Sequence, residues 1–132
     1  MTEPRVTPLG AWHEENGGRM VDFAGYRMPV QYEGVMAEHL RVRESVGLFD
    51  ISHMAELHVR GVDSRSEVDA LVTNNVARLG VGQVLYTALC RPDGGILDDL
   101  LIYCLAEDHF LIVANASNRE KVAQWLRERL SK

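Results

Sequence analysis

Apolar and polar residues change their period several times along this chain, and each change marks an element. Thr7-Pro8 carries the signature of a helix N-cap followed by proline at the first helical position, and Gly17-Gly18 would end that short helix. From Val35 to Val46 the apolar residues Val35, Val42 and Val46 recur with His39 at helical spacing, and Gly47 is placed to cap the end. Leu57 and Val59 alternate with Glu56, His58 and Arg60, the pattern of a half-exposed strand. Ser64-Arg65-Ser66-Glu67 has capping-box spacing and predicts a helix continuing through Val68, Leu71 and Val72.

The segment from Val84 to Asn115 follows a strand period instead. Strands are predicted over Val84–Leu89, Ile96–Leu105 and Phe110–Ala114, joined by the turn chemistry of Arg91-Pro92-Asp93-Gly94-Gly95 and of Ala106-Glu107-Asp108-His109. Connections this short make an antiparallel meander. Ser117-Asn118-Arg119-Glu120 is a second capping box, opening a helix with Val122, Trp125, Leu126 and Leu130 on one face. The expected fold class is α+β, an antiparallel β-sheet with flanking helices, in a single module over residues 1–132.

Composition narrows the function classes. The chain has 14 basic and 19 acidic residues, a net charge of −5, which argues against nucleic acid or an anionic membrane as partner. No apolar run approaches the roughly 20 residues of a membrane span, and the first ten residues lack the apolar core of a secretory signal. Cys90 and Cys104 form no C-x-x-C pair, so reduced thiols and a cytoplasmic location are expected. The histidines His13, His39, His53, His58 and His109 are scattered without metal-ligand spacing, and no metal site is expected. His39, on the apolar face of its helix, reads as a hydrogen-bonded core histidine.

The middle strand holds the anomaly. Period 2 puts Ile96, Asp98, Leu100, Ile102 and Cys104 on one face and Leu97, Asp99, Leu101, Tyr103 and Leu105 on the other. Both faces are apolar, which predicts cover on both sides, yet each carries one carboxylate. A buried carboxylate is costly unless hydrogen-bonded, and desolvation raises its pKa. Either aspartate can simply accept backbone donors of the Gly94-Gly95 turn. The alternative is a carboxylate at the rim of an apolar site, placed to bind or deprotonate a polar ligand atom.

Longer strings carry a resemblance. Thr7-Pro8-Leu9 is followed by Met20-Val21-Asp22-Phe23-Ala24-Gly25-Tyr26-Arg27-Met28-Pro29-Val30-Gln31-Tyr32, then Glu38-His39-Leu40-Arg41-Val42-Arg43 and Gly47-Leu48-Phe49-Asp50-Ile51-Ser52-His53-Met54. Gly94-Gly95-Ile96-Leu97-Asp98-Asp99-Leu100-Leu101-Ile102-Tyr103 and Val113-Ala114-Asn115-Ala116-Ser117-Asn118 complete the set. In this order and spacing the chain resembles the N-terminal, folate-binding part of the aminomethyltransferases, the T proteins of the glycine cleavage system.

The resemblance implies a tetrahydrofolate-dependent transferase. It would move a one-carbon unit from the aminomethyl-lipoyl arm of the H protein to tetrahydrofolate and release ammonia. It also implies that Asp99, the second acid of the G-G-x-x-D-D string, is the catalytic carboxylate, with Asp98 as a supporting neighbour. Met54, Tyr86, Tyr103, Val113 and Asn115 would line the folate site, although core packing accounts for each equally simply. Two positions depart from the family pattern, Ala55 where glycine is frequent and Asn75 where aspartate is usual. Family members are well over twice this length, so the resemblance implies missing C-terminal domains or a complementary chain. Two other readings share the fold: a folate-dependent demethylase or dehydrogenase module, and a non-catalytic folate-binding or assembly protein. The former often follows an FAD domain, whereas here the module begins at residue 1.

Overall fold

The computed structural model describes residues 3–131; Met1, Thr2 and Lys132, the ends of the expected module, lie outside the described residues. The fold is α+β, with antiparallel sheets and flanking helices, in two compact units divided between His53 and Met54.

The first unit contains β1 (Arg5–Val6), α1 (Gly10–Glu15), β2 (Met20–Phe23), β3 (Tyr26–Pro29) and α2 (Val35–Glu44). Its sheet has the order β1-β3-β2, with β1 parallel and β2 antiparallel to β3. The β2–β3 hairpin turns on Ala24 and Gly25, both left-handed (φ 52° and 77°), the conformation a two-residue hairpin needs. Asp22 Oδ1 accepts the Gly25 N–H at 3.1 Å and braces the turn.

Helix α1 starts two residues later than Thr7-Pro8 predicts, at Gly10. The Thr7 hydroxyl is not a cap; it donates to Asp50 Oδ2 at 2.9 Å, while the Thr7 carbonyl accepts Gly10 N–H in a turn before the helix. Helix α2 ends at Glu44 rather than Val46, because Ser45 leaves helical geometry. Its start is held by Glu38, whose Oε1 accepts the Tyr32 and Gly34 N–H groups at 2.7 and 3.0 Å. No residue of α2 is buried, so the expected core face is open and His39 is exposed, not a core histidine.

The second unit contains β4 (Ala55–Arg60), α3 (Ser64–Asp69), β5 (Val84–Cys90), β6 (Ile96–Ala106), β7 (His109–Ala114) and α4 (Arg119–Arg129). Short 3₁₀ turns lie at Val76–Arg78 and Ala116–Asn118. The sheet order is β4-β7-β6-β5, antiparallel throughout, so the predicted meander is present and β4 extends it. One sheet face forms the core with Ala55, Val59, Leu89, Leu100, Ile102, Cys104, Phe110 and Ile112, joined by Val68 of α3 and Val122 and Leu126 of α4. Trp125 and Leu130 pack against this cluster from the side. Both cysteines are free.

Neither capping box forms. Ser64 is already inside α3, its hydroxyl buried without a partner, and Glu67 accepts from the backbone and hydroxyl of Ser131 instead. Ser117 lies in a 3₁₀ turn, and α4 begins only at Arg119. Leu71 and Val72 are outside α3; Val72 bridges to Leu89, and Asp69 Oδ1 accepts Val76 N–H at 2.6 Å as the chain turns back. Strand β6 is covered on one side only. Asp98, Leu100, Ile102 and Cys104 are buried, Leu101 and Tyr103 half-buried, and Asp99 and Leu105 exposed, because α3 and α4 both give their apolar residues to the same core. A bulge at Leu89/Cys90 shifts the start of β6, leaving Ile96 exposed and Leu97 buried, the reverse of a strict two-residue period.

Candidate functional site

The antiparallel register assembles a row of side chains on the outer face of the second unit's sheet. Tyr86 of β5 is opposite Leu101 of β6, and Leu101 is opposite Val113 of β7. One step along, Tyr103 lies between Val84 and Leu111; one step the other way, Asp99 is opposite Ala88. Asn115 follows the end of β7, beside the two aspartates. Asp99, Tyr86, Val113 and Asn115 therefore gather toward the first half of β6, whereas Tyr103 lies four residues beyond Asp99, in the row of Val84, Leu111 and His58. Met54 stands just before β4, where its carbonyl accepts from Arg119 Nη2 at 3.1 Å.

The two aspartates have separate environments. Asp98 is only 4% exposed and fully engaged: Oδ2 accepts Asn115 N–H at 2.9 Å, and Oδ1 accepts the side-chain amides of Asn115 (2.9 Å) and Asn118 (2.6 Å). This ties β6 to the segment leading into α4. The Gly94-Gly95 turn takes neither aspartate; Asp93 Oδ1 accepts the Gly95 N–H there, at 2.9 Å. Asp99 faces outward. Its Oδ2 accepts the Tyr86 hydroxyl at 2.7 Å and its Oδ1 the Asn115 amide at 3.1 Å.

Those bonds set the protonation states. The Tyr86 hydroxyl beside Asp99 lowers the carboxyl's pKa, against a smaller opposing effect of burial, and Asn115 adds to the lowering. The same bond raises the Tyr86 phenol. The expected upward shift by desolvation is thus reversed, because Asp99 is exposed and hydrogen-bonded in its charged form. At neutral pH the site offers a carboxylate with two partners already aligned, a phenol locked as a donor, and an apolar floor of Leu101 and Val113. Such a surface can accept hydrogen bonds from, and balance positive charge on, a flat heterocycle. Among the described residues no group of three or more His, Cys, Asp or Glu side chains is placed to hold a metal ion.

Sequence reasoning missed two sets of residues. Asn118 belongs in the sequence to a capping box and to a family string, neither of which assigns its amide to the buried Asp98 carboxyl that it meets. The second set is a buried network in the first unit. His13 Nε2 and the Thr7 hydroxyl both bond Asp50 Oδ2 at 2.9 Å, and His13 Nδ1 lies 2.5 Å from the Tyr32 hydroxyl. Nothing in local spacing links residues this far apart.

Comparison with known proteins gives four findings. Residues 9–132 match the family model described as the GCVT N-terminal domain. The chain is 53% identical over 124 residues to an aminomethyltransferase of Halothermothrix orenii, covering 94% of this chain and 35% of that protein. It is 51% identical over 128 residues to an aminomethyltransferase of Alkaliphilus oremlandii, with 97% and 35% covered. The solved structure of glycine cleavage system aminomethyltransferase T from Bartonella henselae superposes with a TM-score of 0.89 at 40% identity, over 95% of this chain and 35% of that one. The chain spans about a third of the length of these relatives.

Proposed function

Because this chain belongs to the family of the GCVT N-terminal domain, we propose that it is the N-terminal portion of a cytoplasmic, tetrahydrofolate-dependent aminomethyltransferase. The reaction is that of the glycine cleavage system: a one-carbon unit passes from the aminomethyl-lipoyl arm of the H protein to tetrahydrofolate, and ammonia is released. The remainder of the protein, or a complementary chain, supplies the rest of the site. Among the described residues no helix is long and apolar enough to cross a membrane.

The observation that carries this reading is the Asp99–Tyr86–Asn115 constellation beside Leu101 and Val113. Its donors and acceptors suit a reduced pterin, which presents N–H groups at its edge and an aromatic face. Tetrahydrofolate, when bound, supplies the nucleophilic nitrogens that accept the one-carbon unit. Asp99 accepts hydrogen bonds from the ligand and offsets positive charge developing next to it. Its lowered pKa makes it a weak base, so its main work is electrostatic and orienting. Tyr86 and Asn115 hold the carboxylate in place, Tyr103, Val113 and Met54 complete the apolar wall, and Asp98 holds Asn115.

The test is ammonia release from aminomethylated H protein by the longer protein, with tetrahydrofolate. Asp99→Asn keeps the shape and removes the charge, and should slow transfer by about 10²-fold or more. Asp98→Asn should lower the unfolding midpoint more and the rate less, because its carboxyl is buried and bonded only to the chain itself. Transfer abolished by Asp98→Asn and untouched by Asp99→Asn would reverse the roles.

A further inference from the structure

At the other end of the same sheet face, the register gathers three nitrogen groups that take no part in the site above. Arg60 of β4 is the direct partner of His109 of β7, and His58 shares the exposed side of β4 with Arg60. His58 Nδ1 is 2.8 Å from His109 Nε2, with ring centroids 5.1 Å apart, and Arg60 Nε donates to that same His109 Nε2 at 3.2 Å. A guanidinium can only donate, so His109 Nε2 is the acceptor and His58 Nδ1 carries the proton. One imidazole lone pair therefore receives two donors. It does the work that a negatively charged oxygen does better.

The surrounding charges leave that need unmet. Among the described residues Arg60 makes no ion pair with a carboxylate. Glu107, in the turn before β7, is paired with Arg65 at 2.8 Å. Glu56 is on the exposed side of β4, and Asp108 precedes His109. Desolvation, then Arg60, then His58 push the His109 pKa below the ordinary imidazole value, and Asp108 offsets this only in part. The Arg60 guanidinium thus has an imidazole nitrogen, and no carboxylate, as its side-chain partner.

We propose that His58, Arg60 and His109 form a binding site for a small oxyanion, a carboxylate or phosphate group, at the β4–β7 edge of the exposed sheet face. The anion takes the donors of the Arg60 guanidinium. His109 takes up a proton from solvent at Nε2 and becomes a donor to the anion instead of an acceptor. Binding is thus linked to proton uptake and tightens as pH falls through the imidazole range. The guanidinium beside both rings disfavours a metal ion, which would need the same lone pairs.

Imidazole resonances of the chain, followed by NMR at constant ionic strength, test this with inorganic phosphate and with glutarate as separate probes. Saturable shifts of His58 and His109 are expected with at least one probe, while buried His13 and exposed His39 stay still. Which probe binds identifies phosphate or carboxylate as the ligand chemistry. For glutarate, which stays largely dianionic in this range, affinity should rise by about tenfold between about pH 8 and about pH 6. Arg60→Gln, at an exposed position, should weaken binding about tenfold or more, and Arg60→Lys should restore part of it. Shifts that do not saturate, that persist unchanged in Arg60→Gln, or that follow Zn²⁺ but neither anion would overturn the proposal.

Discussion

Asp50 shows how much one residue can depend on contacts distant in sequence. Burial alone would raise its pKa, but hydrogen bonds from His13, Ser52 and Thr7 outweigh that and hold the carboxyl well below the usual range. Burial also raises the Tyr32 phenol, helped by the Asp50 and Glu38 charges. A carboxyl whose pKa is lower folded than unfolded contributes stability above its unfolded value of about 4, and that contribution is lost as pH falls below it. Urea unfolding at neutral pH and at about pH 3 should therefore show a loss of stability on acidification. Asp50→Asn should abolish part of that pH dependence and cost about 1–3 kcal/mol at neutral pH, the scale of a buried partner left unsatisfied. Equal acid sensitivity in the variant and the parent would assign the effect to other carboxylates.

Among the elements, α4 is the one whose attachment differs most from its sequence signature. The Ser117 pattern predicts a side-chain cap, yet no side chain caps the helix. The helix is fastened instead through its leading residues, Asn118 to the buried Asp98 carboxyl and Arg119 to the Met54 carbonyl. Val122, Ala123 and Leu126 are then buried from this fixed start. Asn118→Ala should lower unfolding free energy by about 1–2 kcal/mol, the cost of removing one partner of a buried group. Ser117→Ala should change it by less than about 0.5 kcal/mol, as an exposed substitution does. The opposite order in chemical denaturation would restore Ser117 as the cap.

For the molecule as a whole, the unusual feature is the amount of apolar surface left uncovered. Met36, Val46, Leu48, Phe49 and Ile51 are exposed in the first unit, and Val84, Tyr86 and Leu105 are exposed in the second. Contiguous apolar surface of more than a few hundred Å² marks a surface meant to be covered. In the proposed function the other two thirds of the protein cover it. Static light scattering of this chain should accordingly show self-association that the longer protein lacks. A monodisperse monomer at concentrations up to about the millimolar range would contradict the fragment reading.

The strands Val84–Leu89, Ile96–Leu105 and Phe110–Ala114 were legible from the sequence because period-2 alternation and Gly, Pro and Asp turns are local signals, and the structure keeps them with one-residue changes at their ends. Family membership was legible too, since the G-G-x-x-D-D and flanking strings extend over most of the chain. Helix starts were not. Thr7, Ser64 and Ser117 all look like caps, but the Thr7 hydroxyl and the Asn118 amide beside Ser117 have partners far along the chain, and the Ser64 hydroxyl is buried inside its helix. Nor could period 2 tell Asp98 from Asp99, because it assigns them to opposite faces without saying which face is covered. That was decided when α3 and α4 buried their apolar residues against the Leu100–Ile102–Cys104 side. Asp98 went into the interior, where Asn115 and Asn118 satisfy it, and Asp99 was left outside with Tyr86, because burying a carboxyl requires donors that only the packed chain could bring.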